Sequence, residues 1–225
     1  MSEIKISPRL KKIADMVEPF PCIDIGADHG YLDLYLVQRG HKGQILATEN
    51  KKGPYKRLCD NIAKNSFSDY INCLFADGLD FDYRDYQEVI IAGMGGKQIA
   101  NILSSAKYGL NNFLYLVLEP QSDAYTLRKV VDKLGFKAVC EIYLNEQEKT
   151  YPVIKCIKGH DECDETMFKY GKFSLENNDR VLYKYLIKNK IRIDRLLQSE
   201  LISKSSKNQL KRQLNQIKEG LRYYE

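Results

Sequence analysis

The stretch CIDIGADHGYLDLYL, residues 22–36, runs from an apolar segment into Asp24, Gly26, Asp28, His29 and Gly30. Asp24 and Asp28 are hydrogen-bond acceptors, and the two glycines let a backbone approach a ligand closely. The spacing is not G-x-G-x-x-G, because position 31 is Tyr, so a plain tight turn after a buried strand accounts for this segment equally well. Two later apolar runs also end in acids. Glu49 closes one, followed by Asn50, at a place where a carboxylate can accept both hydroxyls of a ribose. Asp77-Gly78 closes the next, where an adenine amino group would lie. A further run ends in IAGMGG, residues 91–96, so that Ala92, Gly93, Met94 and Gly95 would leave a crevice wall open to a flat substrate. Those glycines also suit a simple strand-to-helix turn.

Such side chains converge only if the runs lie side by side with their carboxyl ends together. The sequence predicts strands over 22–25, 44–48, 71–75, 88–92 and 113–118, alternating with amphipathic helices over 31–39, 54–65, 97–106 and 123–134. Strand–helix alternation specifies a parallel sheet, whose ligand crevice lies at the carboxyl ends where strand order reverses. Ahead of the first strand, Ser7-Pro8 reads as the N-cap and first position of a short helix. Two more apolar runs, 137–144 and 151–157, are joined by NEQEKT, too short for a crossover helix, and form an antiparallel hairpin. Five parallel strands closed by a hairpin make an α/β fold with the strand inventory of class I (Rossmann-like) methyltransferases, whereas dinucleotide-binding domains continue with parallel units. GHDECDET, residues 159–166, reads as a linker. Beyond it, Leu182, Leu186, Ile193 and Leu197 form one helical pattern that stops at SKSSKN, and Leu210, Leu214, Ile217 and Leu221 form a second. Residues 179–224 are therefore expected to fold as an antiparallel helical hairpin, a short coiled coil whose brief seam favours self-packing in a monomer.

The chain has 225 residues, 44% of them hydrophobic, and a formal net charge of +5. The charge is concentrated. From residue 169 onward there are 14 Lys and Arg against 6 Asp and Glu, leaving 21 against 24 in the rest. A basic tail on a slightly acidic body suggests a polyanionic partner, although a solvated helical surface would look the same. Six scattered cysteines without a C-x-x-C pair and three dispersed histidines argue against a zinc site or a disulfide framework, so no metal is expected. No apolar run is long enough for a membrane span, and the first residues lack a signal-peptide core, so a cytoplasmic location is expected.

Taken together, ISPRL, IDIGADHGYLDLYL, ATENKKGPY, FADGL, VIIAGMGGKQI, LEPQSDAYTLRKVV and NEQEKTYPVIKC resemble, in order and spacing, the TrmK family of bacterial tRNA (adenine-22-N1) methyltransferases. The likeness covers about residues 4–158, and the basic helical tail is similar to that family's C-terminal domain. It implies an S-adenosylmethionine-binding domain over 1–160 and a tRNA-binding helical hairpin over 169–225. The cofactor would lie across Asp24, Gly26, Asp28, His29 and Gly30, with Glu49 and Asn50 at its ribose and Asp77 and Gly78 by its adenine. Ala92, Gly93, Met94 and Gly95 would line the junction of methyl group and incoming base, and Asp28, His29 and Met94 would act nearest the reaction. Arg9 and Lys52 are implied contacts to phosphate or base, and Lys184, Lys188, Arg192, Arg195, Lys211 and Arg212 to the RNA backbone. One departure stands out: the family's LQPN is Leu118-Glu119-Pro120-Gln121 here.

N1 of neutral adenine carries an in-plane lone pair and no proton, so methylation there needs alignment and electrostatics rather than a general base. The [DN]-P-P-[YF] tetrapeptide of exocyclic amino methyltransferases does not occur after the fourth strand, and no cysteine pair suits a covalent route to pyrimidine C5. Two alternatives stay open on the residues alone: a class I methyltransferase acting on a small molecule or protein, and an RNA-binding protein with a vestigial cofactor pocket.

Overall fold

The computed structural model describes residues 3–147, 149–199 and 203–225. A seven-stranded sheet is built from β1 (Cys22–Ile25), β2 (Ile45–Glu49), β3 (Ile71–Phe75), β4 (Glu88–Gly95), β5 (Tyr115–Ser122), β6 (Phe136–Glu146) and β7 (Lys149–Lys158), in the order β3-β2-β1-β4-β5-β7-β6. The first five are mutually parallel, and β7 runs antiparallel to both β5 and β6. Strand order reverses at β1, which pairs β2 on one side and β4 on the other.

Strands covered on both faces read as continuous apolar runs, because each face needs its own set of buried residues. Ile23, Val89, Ile91, Leu116 and Leu118 pack with helices α4 (Gly96–Ser104) and α5 (Ala124–Lys133) on one face. Cys22, Ile45, Ala47, Ile90 and Val117 pack on the other with α1 (Pro8–Ala14), α2 (Tyr31–Gln38) and α3 (Lys52–Lys64). Ser7 caps α1 as expected, its Oγ accepting from the Leu10 N–H at 3.3 Å. Helix α3 starts two residues earlier than the pattern predicts, since Pro54 is tolerated in a first turn, where N–H groups lack partners anyway.

The C-terminal part differs most from expectation. SKSSKN does not end a helix. Ser203 caps α9 (Lys204–Leu221), its Oγ accepting from the Ser206 N–H at 3.2 Å, while α8 (Arg180–Leu197) ends earlier. Residues 200–202, within the expected hairpin, lie outside the described residues. Nor does the linker stay irregular to its end, because Asp164 caps α6 (Glu165–Tyr170), which leads into α7 (Lys172–Glu176). Both helices are too short for periodicity to betray them. α8 and α9 pack antiparallel, with the Tyr183 and Tyr224 rings 5.1 Å apart at one end of the pair. Leu182, Leu186, Ile193 and Ile217 form a third core with Tyr170, Leu175 and Tyr143 of β6, so the helical hairpin is docked on the sheet edge. Among the described residues no helix is long and apolar enough to cross a membrane, and no cluster of His, Cys, Asp and Glu could hold a metal ion.

Candidate active site

A cavity of about 400 Å³ opens at the carboxyl ends of the parallel strands, lined by Gly26, Asp28, Glu49, Asn50, Asp77, Gly78 and the β4 terminus from Ala92 to Gly95. A second, of about 300 Å³, is lined by Arg9, Leu10, Asp24, His29, Tyr31 and Gln121. Gly26, Asp28, Ala92 and Gly93 belong to both walls, so the two spaces meet at the end of β1 and β4.

The β1 turn creates that meeting point. Gly26 has φ +75°, and a Cβ there would lie 2.3 Å from Met94 Cε, so glycine meets both a backbone and a space requirement. Asp28 is also left-handed at φ 50°, which points an exposed carboxylate along the rim; Arg57 and His29 Nε2 each lie 3.7 Å from it. The His29 ring lies against Tyr31, centroids 5.6 Å apart.

At the second strand, Glu49 Oε1 accepts from the N–H groups of Asn50 (3.0 Å) and Lys51 (3.2 Å). These bonds fix the carboxylate and leave Oε2 for a ligand. Asn50 Nδ2 donates to Asp77 Oδ1 at 2.8 Å, which ties the second strand end to the third. Strand β4 is irregular at Ala92–Gly95 relative to β5, and the Gly93 N–H donates to Glu119 Oε2 at 2.7 Å. Met94 contributes a thioether to the cavity wall and packs on the sheet core, so it offers shape and polarisability rather than acid–base chemistry.

Three buried carboxyls lie beneath these walls. Burial, then the neighbouring Glu49 charge, raises the Asp24 carboxyl to about 7. Burial also pushes Asp33 of α2 well above the ordinary aspartate range, and neither of its oxygens has a hydrogen-bond partner among the described residues. Glu119 is raised by burial against the opposing pull of Arg9 and the Gly93 N–H.

Most of the expected cofactor residues converge on the larger cavity, and Asp24 and His29 on the smaller one. Gly30 lines neither. It starts α2 at φ +67°, and a Cβ there would stand 2.6 Å from Leu58 Cδ1, so its glycine serves the packing of α2 on α3. Arg9 reaches the smaller cavity, but its guanidinium is engaged by Glu119 Oε2 at 2.9 Å and Glu146 Oε2 at 3.0 Å. It therefore brackets α1 to β5 and β6 while also lining the smaller cavity. Lys52, exposed at the start of α3, lines neither cavity; its neighbour Lys51, which sequence reasoning passed over, lines the larger. Lys184, Lys188, Arg192 and Arg195 share a groove of about 770 Å³ along α8 with Tyr183, Ile187 and Ile191, while Lys211 and Arg212 are exposed on α9 outside it. Among the described residues none of these six cations is in an ion pair with a carboxylate.

A parallel sheet reversing at β1, an antiparallel last strand pair and acidic strand ends around one crevice define a class I methyltransferase fold. The methyltransferase-domain family matches residues 6–154. The tRNA (adenine(22)-N(1))-methyltransferase of Bacillus subtilis strain 168 is 32% identical over 161 residues, covering 71% of this chain and 68% of that protein. The crystal structure of Bacillus subtilis TrmK superposes with a TM-score of 0.84 at 25% identity, covering 97% of this chain and 100% of that one. A Streptococcus pneumoniae protein solved in complex with S-adenosyl-L-methionine superposes with a TM-score of 0.87 at 28% identity, covering 96% and 100% respectively. The chain belongs to the TrmK family of tRNA (adenine(22)-N(1))-methyltransferases.

Proposed function

We infer that this protein transfers a methyl group from S-adenosylmethionine to N1 of an adenosine in tRNA, at position 22 as in its relatives. The observation that carries this reading is the joining of two cavities at Gly26 and Gly93, one walled by acidic strand ends and the other open toward the helical hairpin side through Gln121. The residues suit the cofactor. Glu49 has one oxygen anchored by two backbone N–H groups and the other available to ribose hydroxyls. Asp77, held by Asn50, can accept from an adenine amino group. Asp24, buried in the wall of the smaller cavity, can accept from an ammonium group.

S-adenosylmethionine, when bound, supplies an electrophilic methyl group on a sulfonium. The chain's own part is to align N1 of the target base with it and to exclude water. Glycine at 93 leaves no side chain in the path, and its N–H is held by Glu119. Because N1 brings its own lone pair, neither Asp28 nor His29 needs to remove a proton; we assign them to orienting the base at the rim. Residues 1–160 form the catalytic part, and the helical hairpin over 169–225 grips the RNA through Lys184, Lys188, Arg192, Arg195, Lys211 and Arg212, offsetting the cost of extruding a stacked nucleotide. In this reading the protein works as a monomer in the cytoplasm.

The test is transfer of labelled methyl groups to unmodified tRNA, digestion to nucleosides, and mapping by primer extension, since an N1-methyl group blocks Watson–Crick pairing. The expected product is 1-methyladenosine at position 22. Labelled product of any other identity, or none with cofactor binding intact, overturns the reading. Asp77→Ala should weaken cofactor binding and leave tRNA affinity unchanged.

A further inference from the structure

A further concave site, of about 300 Å³, lies beside the two cavities at the strand ends and shares Gln121 with the smaller of them. Its walls come from both halves of the molecule: Gln121 from the end of β5, Tyr125 and Thr126 from the first turn of α5, Lys169 from α6 and Tyr185 from α8. The site thus lies between the α8 helix and the space beside Gly93.

We propose that this cleft seats the nucleotide next to the target adenosine, an inference that rests on the tRNA reading above. The chemistry is that of a single unstacked nucleotide. Tyr185 is 38% exposed and presents a flat face. Tyr125 offers a second, and its ring is flanked by the ammonium groups of Lys129 at 4.9 Å and Lys169 at 5.7 Å. Lys129 is engaged by Glu165 at 2.6 Å, whereas Lys169 is exposed and has no carboxylate partner among the described residues, so it can take a phosphate. The amide of Gln121 has no hydrogen-bond partner among the described residues and stands where the two spaces join. Asp123 is the single carboxylate in the lining, exposed at φ 52°, and disfavours a second phosphate there. One cation, two aromatic faces and a nearby amide fit one nucleotide better than a duplex backbone, which would need a row of cations.

The floor is rigid. Tyr143 donates to the Tyr170 carbonyl at 3.0 Å and accepts from Arg128 at 3.0 Å, so the hydroxyl cannot swing away. A preformed cleft at the joint lets the neighbour of the target dock while the target itself turns into the methyl-transfer space.

The test compares Tyr185→Ala, Tyr185→Phe and Lys169→Ala with the parent protein in three measurements: tRNA affinity, cofactor affinity and the rate of 1-methyladenosine formation. Loss of a stacking face is expected to weaken tRNA binding by about tenfold in Tyr185→Ala, with Tyr185→Phe near the parent. Lys169→Ala should lower the slope of log affinity against log salt by about one. Cofactor affinity should not change in any of the three, which separates lost RNA contact from misfolding. If the parent methylates tRNA and Tyr185→Ala binds and methylates it equally well, the cleft assignment is wrong and the functional reading stands. Tyr185-dependent binding of adenosine monophosphate without any effect on tRNA affinity overturns it in favour of a free-nucleotide site. If the parent forms no 1-methyladenosine, the functional reading fails first and this inference with it.

Discussion

Asp24 provides a test of the cofactor site that does not depend on catalysis. Its carboxyl is 5% exposed in the wall of the smaller cavity. Burial first, and then the charge on Glu49, raises its pKa to about 7, whereas an aspartate in an unfolded chain titrates near about 4. A carboxyl that must be ionised to receive the cofactor's ammonium group makes affinity fall tenfold for each pH unit below about 7. At about pH 5 binding should be roughly a hundredfold weaker than with the carboxyl fully ionised, about 2.7 kcal/mol. The ligand's own α-amino group deprotonates near about pH 8, so affinity passes through a maximum between the two. Binding to the ionised form lowers the carboxyl's pKa, and therefore close to one proton is released per cofactor bound at about pH 6. Isothermal titration calorimetry in buffers of different ionisation enthalpy reads both quantities. Asp24→Asn should bind more weakly at neutral pH and lose the acid limb. Flat affinity between about pH 5 and about pH 7 in the parent, or the same slope in Asp24→Asn, would refute the assignment. Stability gives a second readout with its own sign. The folded-state pKa is raised, so the stabilising contribution is complete below about pH 4 and is lost as pH rises through about 7, a decline that Asp24→Asn should lack.

Three further outcomes can be measured. Glu141→Gln leaves the buried Arg128 guanidinium without its ion-pair partner and should cost about 3–5 kcal/mol in denaturant unfolding, with partial recovery in Arg128→Met/Glu141→Leu; a loss under about 1 kcal/mol contradicts the buried pair. Asp33→Leu should stabilise the protein by about 1–3 kcal/mol, because the wild-type carboxyl is fully buried with no hydrogen-bond partner among the described residues. Since burial raises the Asp33 pKa, that gain should grow as pH rises above about 4, and a pH-independent difference would argue against it. Lys188→Ala and Arg192→Ala should each lower the salt slope of tRNA binding by about 0.7–1 while leaving cofactor affinity alone; an unchanged slope in both removes the α8 groove from the RNA interface.

Several features of this protein are legible in the residues themselves, because their causes are local. Apolar runs of strand length, helical spacing between them, Ser7-Pro8 before α1, and acids at the ends of β1, β2 and β3 each occupy a few adjacent positions. From these the parallel sheet, its closing hairpin, the crevice and its Glu49 and Asp77 walls can be drawn. Other features were decided by contacts between distant segments. Arg9 meets Glu119, 110 positions away, and Glu146, 137 positions away, so a cation that looks free in the sequence is committed once α1 docks. Gly30 resembles a cofactor glycine until α3 packs against it through Leu58. The Arg128–Glu141 pair likewise exists only where α5 packs on β6, and the cleft between Tyr125 and Tyr185 only where α8 docks beside α5. Periodicity reports which face of an element will be buried, but burial of charge and the joining of cavities depend on which face of another element arrives to cover it.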